Sequence, residues 1–437
     1  MRSGRWTILA GALAASACAY PYPPPALAPV TAPAPPTTIA VSATEQARTP
    51  VTILVSIDGF RADYLARGVT PRLDRLAASG VSGAMRPSFP SMTFPNHWTL
   101  VTGLRPDRHG VVGNRMEDAA RPGQVFTMQT DDPFWWNMAE PIWVAAERAG
   151  IRTATMFWPG ANVAIGGSVT TSGHRSVIGG TRPSDWAQYS EALTGEQRVT
   201  ALIDWLRRPA ATRPRLLTLY FDTVDTAGHE FGPDDARTMQ AVAAIDAQIG
   251  LLVDSLAALG QPANLVIVAD HGMAATSDTR TVPLSTLADP ADFRTIELNT
   301  YAAIVPMPGR EAAVERALLR RHDHVRCWRK DALPPRFHYG RNPRVAPFLC
   351  LADTGWVITK APPTAPFSRG EHGFDPDAVE MRALFVASGP AFARGRTLPA
   401  FDNVAVAPLL RRLIGLPPAP GLDGDDAPFR PVLTRQP

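Results

Sequence analysis

Three buried-looking apolar runs in this chain each stop at a group that can ionise. Residues 52–57 end in Asp58-Gly59, residues 215–221 end just before Asp225 and His229, and residues 265–269 end in Asp270-His271. Short continuous apolar runs bounded by turn residues read as strands covered on both faces, the kind found in a parallel sheet. Between the second and third runs, Met239, Val242, Ile245, Ile249, Leu252, Leu256 and Leu259 recur at steps of three and four, which marks one apolar face of a helix that Gly260 stops. A further helix is expected near residues 70–79, with Pro71 in its first turn and Gly80 at its end. A last strand, 382–387, follows Glu371-His372-Gly373. The expected fold class is therefore α/β, a central mostly parallel sheet flanked by helices, and its chemistry belongs at one sheet edge.

Length and composition agree with a globular enzyme core. The chain has 437 residues, 45% hydrophobic and 19% charged, with no run of 18 apolar residues. Its net charge of +3 includes Arg2 and Arg5, which precede the apolar stretch 6–17 and small residues in the pattern of an export signal, 1–17. Bulk charge gives no basis for nucleic-acid binding, and no sequence-specific nucleic-acid partner is expected. Cys18 stands directly after the small residues, where a lipid anchor would be attached, and lipidated and unmodified forms both remain open. Residues 18–47 are rich in proline and alanine and read as a tether. The protein is expected to be exported, either periplasmic or held as a lipoprotein on the periplasmic side. With Cys18 set aside, Cys327 and Cys350 make an even pair in an oxidising compartment, so one disulfide is expected, the other reading being two separate buried thiols. The catalytic domain is expected over 48–420, with an inserted smaller lobe at about 279–347 and a tail over 421–437.

Asp58, Asp225 and Asp270 with His229, His271 and His372 make three carboxylates and three imidazoles. Taken singly, each has a plain alternative, since a strand-end Asp often caps the next helix and a lone His is usually a satisfied core or surface group. Their shared placement at strand ends favours metal ligation. Oxygen and nitrogen donors without thiolates suit two zinc ions, which together can clamp an in-line displacement at phosphorus. Such a pair asks for a nucleophile, and residues 87–97 supply hydroxyls at Ser88, Ser91 and Thr93 on a proline-stiffened loop before a helix-like run.

Six ordered motifs give the sequence a resemblance to the type I phosphodiesterase and nucleotide pyrophosphatase family of the alkaline phosphatase superfamily, over roughly residues 50–415. They are Ile57-Asp58-Gly59-Phe60-Arg61, the threonine loop through Asn96-His97 with Thr102-Gly103-Leu104 to Gly113-Asn114, Phe157-Trp158-Pro159-Gly160, Asp225 to His229 with Gly232-Pro233, Asp270-His271-Gly272-Met273, and Glu371-His372-Gly373. The resemblance implies an alkaline-phosphatase-like sheet. It implies that Asp58, Thr93, Asp270 and His271 hold one zinc, and that Asp225, His229 and His372 hold the other. Thr93 would be the covalent nucleophile, and Asn114 with the Thr93 amide would bind a phosphoryl oxygen. Phe94 and Tyr189 match positions that sandwich a nucleobase. Trp158, with Trp135 and Trp136, lines the same wall or packs in the core. Met92 stands where some members have lysine, which weakens any expectation of triphosphate preference. Asp222 is left out of the ligand set, His97 and His109 are read as fixing loops, and His322 and His324 as part of a solvated basic face.

The activity so implied is hydrolysis of nucleotide phosphodiesters or pyrophosphates to nucleoside 5′-monophosphates. A related phosphomonoesterase, phosphonate or lipid head-group hydrolase shares the metal set, and an envelope-tethered binding protein is the rival of another class. Oligomeric state is not readable from the sequence.

Overall fold

All seven residues of the strand β1, Val51–Ile57, are buried, and this run sits at the centre of the molecule. The computed structural model describes residues 48–170, 174, 176–363 and 368–434; the stretch read as an export signal, Cys18 and the proline-rich stretch lie outside them. Further strands of the main sheet are β2 (Val81–Arg86), β3 (Thr153–Met156), β4 (Leu216–Phe221) and β5 (Ala263–Val268). A second sheet contains β6 (Phe293–Leu298), β7 (Tyr301–Pro306), β8 (Val325–Arg329) and β9 (Phe348–Ala352), and β10 (Ala383–Ser388) returns to the first.

Among the described residues the main sheet has nine strands, and its central order is β2-β10-β5-β1-β4-β3. β1 pairs in parallel with β5 and β4, and β4 with β3, whereas β10 runs antiparallel between β5 and β2. Parallel pairing aligns the carboxyl ends of β1, β4 and β5 at one edge. Because β10 is reversed, its beginning lies at that edge, and so does the segment before it that contains His372. The mostly parallel sheet flanked by helices is the α/β architecture the apolar runs imply. Burying the aliphatic side chains of β1 contributes about 1.5–3 kcal/mol each, which makes register slips at this strand costly.

Two groups of helices flank the sheet. In the first, α1 (Pro71–Ser79), α4 (Gly195–Leu206), α5 (Thr223–Phe231) and α6 (Ala236–Ala258) pack on one another; in the second, α2 (Thr93–Thr102), α3 (Ile142–Arg148) and α7 (Val406–Leu413) do so. The buried Asp246 of α6 accepts the first-turn amides of Arg72 and Leu73 in α1 at 3.0 and 2.8 Å. One helix is thereby capped by another, which fixes α1 against the sheet.

The four-stranded antiparallel sheet, in the order β6-β7-β9-β8, has its own small core around Ile304, Leu318, Phe348 and Cys350. Cys327 and Cys350 face each other across β8 and β9 and are bridged. The bridge closes a loop of 23 residues in sequence, worth about 3 kcal/mol in a chain-entropy account. Phe429, within the stretch read as a tail, is fully buried against Phe385 and Phe401.

His109 ties the end of α2 to the loop that follows. Its Nδ1 accepts the Val111 amide at 3.1 Å, so Nε2 carries the proton, 3.1 Å from the Pro95 carbonyl and 3.0 Å from Thr99 Oγ1. Burial pushes this imidazole down to about 3. The unfolded chain therefore binds a proton here below about pH 6.5 that the folded chain does not, and stability present above that pH is lost as pH falls. Urea unfolding should show His109→Asn less stable at pH 7 but with a fall between pH 6.5 and 4 shallower by about 1.4 kcal/mol per pH unit; parallel wild-type and variant slopes would contradict this.

Candidate active site

Asp58, Asp225, Asp270, His229, His271 and His372 meet at the edge where β1, β4 and β5 end. Asp58 directly follows β1, and Asp270-His271 follow β5. Asp225 and His229 lie on α5, the helix that begins two residues after β4, and their spacing of four puts them on one side of it. His372 follows the two-residue strand Gly370–Glu371. Gly59 lets these elements close on one another. Its φ is +66°, and a Cβ there would stand 2.9 Å from both Cα and Oδ1 of Asp225. Only glycine tolerates that backbone together with so near an approach.

The three histidines share one orientation. Nδ1 of His229 is 2.8 Å from the Gly370 carbonyl, Nδ1 of His271 is 2.9 Å from that of Gly272, and Nδ1 of His372 is 3.0 Å from that of Ser91. Donating Nδ1–H to a carbonyl leaves each Nε2 lone pair for another partner, which is how metal-binding histidines are commonly held. Those Nε2 atoms point at carboxylates. His229 Nε2 is 3.4 Å from Asp225 Oδ2, His271 Nε2 is 2.9 Å from Asp270 Oδ2 and 3.5 Å from Asp58 Oδ1, and His372 Nε2 is 3.8 Å from Asp225 Oδ1.

The carboxylates are short of partners. Among the described residues, Asp58 Oδ1, Asp225 Oδ1 and Asp270 Oδ2 are buried without a hydrogen bond of good geometry, and no Lys or Arg forms an ion pair with any of the three. Buried anionic oxygens in that state are costly unless a cation is close. Donor atoms of Asp58, Asp270 and His271 lie within 4.8 Å of one another, as do those of Asp225, His271 and His372. This donor set fits divalent metal.

Protonation reflects the same crowding. Burial, then the charges of Asp270 and Asp225, raises Asp58 well above the usual carboxylate range. Burial also opposes charge on Asp270, but His271 and His97 outweigh it and hold this carboxyl well below that range. For His229 burial favours the neutral ring, yet Asp225 and then Glu371 push it up to about 11. Burial and the neighbouring His271 take His372 down to about 4. His271 and His372 are stacked, with ring centroids 3.6 Å apart, so two adjacent cations are disfavoured.

Thr93 is the first residue of α2, and its Oγ1 is 3.3 Å from His271 Nε2. The Phe94 amide donates to Asn114 Oδ1 at 3.0 Å, so Asn114 is fixed by its carbonyl and offers its Nδ2–H to a ligand. Thr93 and Asn114 line a cavity of about 490 Å³ together with Asp58, Asp225, His229 and His372. Its walls include Phe94, backed by Phe126 and Trp136, and Tyr189, backed by Phe157 and Tyr220. Trp158 and Trp136 border it although nearly buried, and Trp158 Nε1 donates to the His97 carbonyl. Trp135 does not reach it and packs on Phe126 and Phe134.

Several side chains outside the expected ligand set brace it. Tyr220 donates to Asp58 Oδ2 at 2.7 Å. His97, read as fixing a loop, lies 2.8 Å from Ser56 Oγ, 2.9 Å from the Thr93 carbonyl and 3.3 Å from Asp270 Oδ2, so it braces both the threonine and a carboxylate. Asn299 and Thr300, in the turn between β6 and β7, reach in from the second sheet. Asn299 donates to Glu371 Oε2 and Thr300 to the His372 carbonyl, each at 2.7 Å, and Glu371 Oε2 stands 3.4 Å from His229 Nδ1.

A family model for type I phosphodiesterase / nucleotide pyrophosphatase matches residues 52–375. The bis(5′-adenosyl)-triphosphatase of Xenopus laevis is 36% identical over 373 residues, 84% of this chain and 78% of that protein. Ectonucleotide pyrophosphatase/phosphodiesterase family member 3 of Bos taurus is 34% identical over 85% of this chain, which spans 43% of that relative. Among solved structures, murine ectonucleotide pyrophosphatase/phosphodiesterase 5, in an inactive threonine-to-alanine form in complex with AMP, matches with a TM-score of 0.81 at 32% identity, covering 88% of this chain and 100% of that one. Fold and site together define a metal-dependent hydrolase of the alkaline phosphatase superfamily. Within it, the chain belongs to the type I phosphodiesterase / nucleotide pyrophosphatase family.

Replacing Glu371 by Gln removes the negative charge behind His229 and should weaken divalent-metal binding about 10-fold in a chelator-competition titration. Unchanged affinity would show that the Gly370 carbonyl and the Ser368 hydroxyl set the ring without Glu371.

Proposed function

We propose that this protein is an exported hydrolase that cleaves phosphodiester or pyrophosphate bonds of nucleotides and releases nucleoside 5′-monophosphates through a phosphothreonine on Thr93. The observation that carries this reading is the inward aim of three Nε2 atoms and three under-partnered carboxylates at the edge where Thr93 Oγ1 stands. Asp58, Thr93, Asp270 and His271 would hold one zinc and Asp225, His229 and His372 the other, supplying positive charge to the phosphoryl oxygens and lowering the threonine pKa. The donor set, oxygen and imidazole nitrogen without thiolate, supports zinc.

Thr93 Oγ1 attacks phosphorus, the P–O bond to the leaving alcohol or phosphate breaks, and that group departs with a proton. Water then attacks the phosphothreonine, returning the Thr93 hydroxyl and freeing the nucleoside monophosphate. Asn114 Nδ2 donates to a non-bridging oxygen that gains charge as Thr93 approaches. Thr93 begins α2, whose first-turn amides and dipole also favour an anion there. His97 and Tyr220 hold Asp270 and Asp58 in place. Phe94 and Tyr189 offer aromatic faces to the base, contacts that stack with little discrimination between bases. The AMP-bound structural neighbour is the inactive threonine-to-alanine form, which supports a threonine as the reacting group. The ecto-enzyme relatives and the Cys327–Cys350 bridge support export, whether to the periplasm or to a lipid anchor on Cys18.

Thr93→Ala should lower turnover by at least about 10³-fold with metal content unchanged by elemental analysis; retained turnover at full metal content would rule out the covalent route. EDTA should abolish hydrolysis and zinc restore it, and the wild-type enzyme should prefer a p-nitrophenyl ester of thymidine 5′-monophosphate over p-nitrophenyl phosphate. A preference for the monoester would favour the phosphomonoesterase reading instead.

A further inference from the structure

Asp222 has the look of a ligand in the sequence, three residues before Asp225, yet its carboxylate is occupied elsewhere. Oδ2 accepts from the Tyr189 hydroxyl at 2.9 Å, and Oδ1 accepts from Arg198 Nη1 at 2.7 Å. Arg198 comes from α4 and its side chain is 5% exposed. It also donates through Nε to the Leu193 carbonyl and through Nη1 to that of Tyr220. The guanidinium stands 5.8 Å from the Tyr189 ring centroid and 5.3 Å from that of Phe157, and Phe157 meets Tyr189 edge to face. Tyr189 itself is 40% exposed, a ring on a cavity wall that would otherwise be free to turn. Asp222 is also the residue on which α5 starts, since its carbonyl accepts the Thr226 amide at 3.1 Å. One residue thus grips the exposed aromatic wall and begins the helix that carries Asp225 and His229.

We propose that Asp222 and Arg198 are positioning residues which lock the Tyr189 ring at a set distance from the phosphoryl centre, so that the site favours phosphodiesters bearing a nucleoside over base-free esters. The inference rests on the reading of Tyr189 as a base-contacting wall. Its physical content is preorganisation. Immobilising a side chain on binding costs free energy, and a ring already tied through its hydroxyl to a charged pair that is itself fixed loses less on meeting a base. The hydroxyl is consumed by Asp222, so it adds no base-specific hydrogen bond, and the gain applies to any nucleobase.

The test compares wild type, Tyr189→Phe, Asp222→Ala and the double variant, each checked for zinc content. Steady-state kinetics are run on p-nitrophenyl thymidine 5′-monophosphate and on bis(p-nitrophenyl) phosphate, and AMP affinity is measured by calorimetry on the metal-loaded protein. The ratio of kcat/KM for the nucleoside ester to that for the base-free ester should fall about 5- to 10-fold in each single variant, chiefly through KM, with a matching loss in AMP affinity. The double variant should be no worse than the poorer single one, because both remove the same contact. Tyr189→Phe deletes one oxygen and keeps the ring, so it decides the matter even if Asp222→Ala disturbs the start of α5. A wild-type preference for the nucleoside ester that survives Tyr189→Phe, or a parallel fall on both substrates, would overturn the positioning role alone. A wild-type enzyme without that preference would overturn the nucleotide reading and this inference with it.

Discussion

Buried negative charge at one end of the sheet governs this structure. Three aspartates gather around His271, Asp58 and Asp270 in one group and Asp225 in the other, each with an oxygen that no hydrogen bond satisfies among the described residues. Nothing apolar in the core repays such an arrangement, and the nearby imidazoles repay it only by holding protons. A divalent cation does so more fully and needs neutral imidazoles, so metal binding here is coupled to proton release. The strand order, the left-handed turn at Gly59 and the carbonyl partners of the histidines all serve to keep these groups together.

The frame behind the cluster comes from widely separated parts of the chain. Tyr220 fixes Asp58 from within β4, His97 braces Asp270 from α2, and Asn299 with Thr300 reach from the second sheet to Glu371 and the His372 backbone. The second sheet is stapled by Cys327–Cys350, and β9, which carries Cys350, pairs with β7 directly after the turn that holds Thr300. The bridge therefore bears on this cluster through packing as well as through stability. On the open side of the cavity, Asp222 joins the aromatic wall to the helix of Asp225 and His229, so the part that would meet a base and the part that would meet phosphorus share one connection.

Much of this was legible in the linear chain because it rests on local chemistry. Continuous apolar runs that end in Asp58 and Asp270-His271 could only be covered strands with ionisable ends, and the three-and-four spacing from Met239 to Leu259 required a helix with one buried face. The motif order carried the family, and the even cysteine pair carried the bridge. What stayed hidden depends on direction and distance. The reversal of β10, which brings His372 to the shared edge from the beginning of a strand, leaves no trace in its composition. Trp135, Trp136 and Trp158 are alike in sequence, but only the last two border the cavity. Asp222 and Asp225 are both acids near the start of one helix, and their different partners depend on Tyr189 and Arg198, more than twenty residues upstream.

By itself, then, the sequence determined which residue types were available and which segments had to be buried, since periodicity and turn chemistry act over a few neighbouring residues. Only the tertiary structure decided which nitrogen of each histidine faces the carboxylates, which aspartates share a partner and which are spoken for, and which aromatic rings face solvent. Those outcomes are set by contacts across the sheet edge, where groups hundreds of residues apart compete for the same few ångströms.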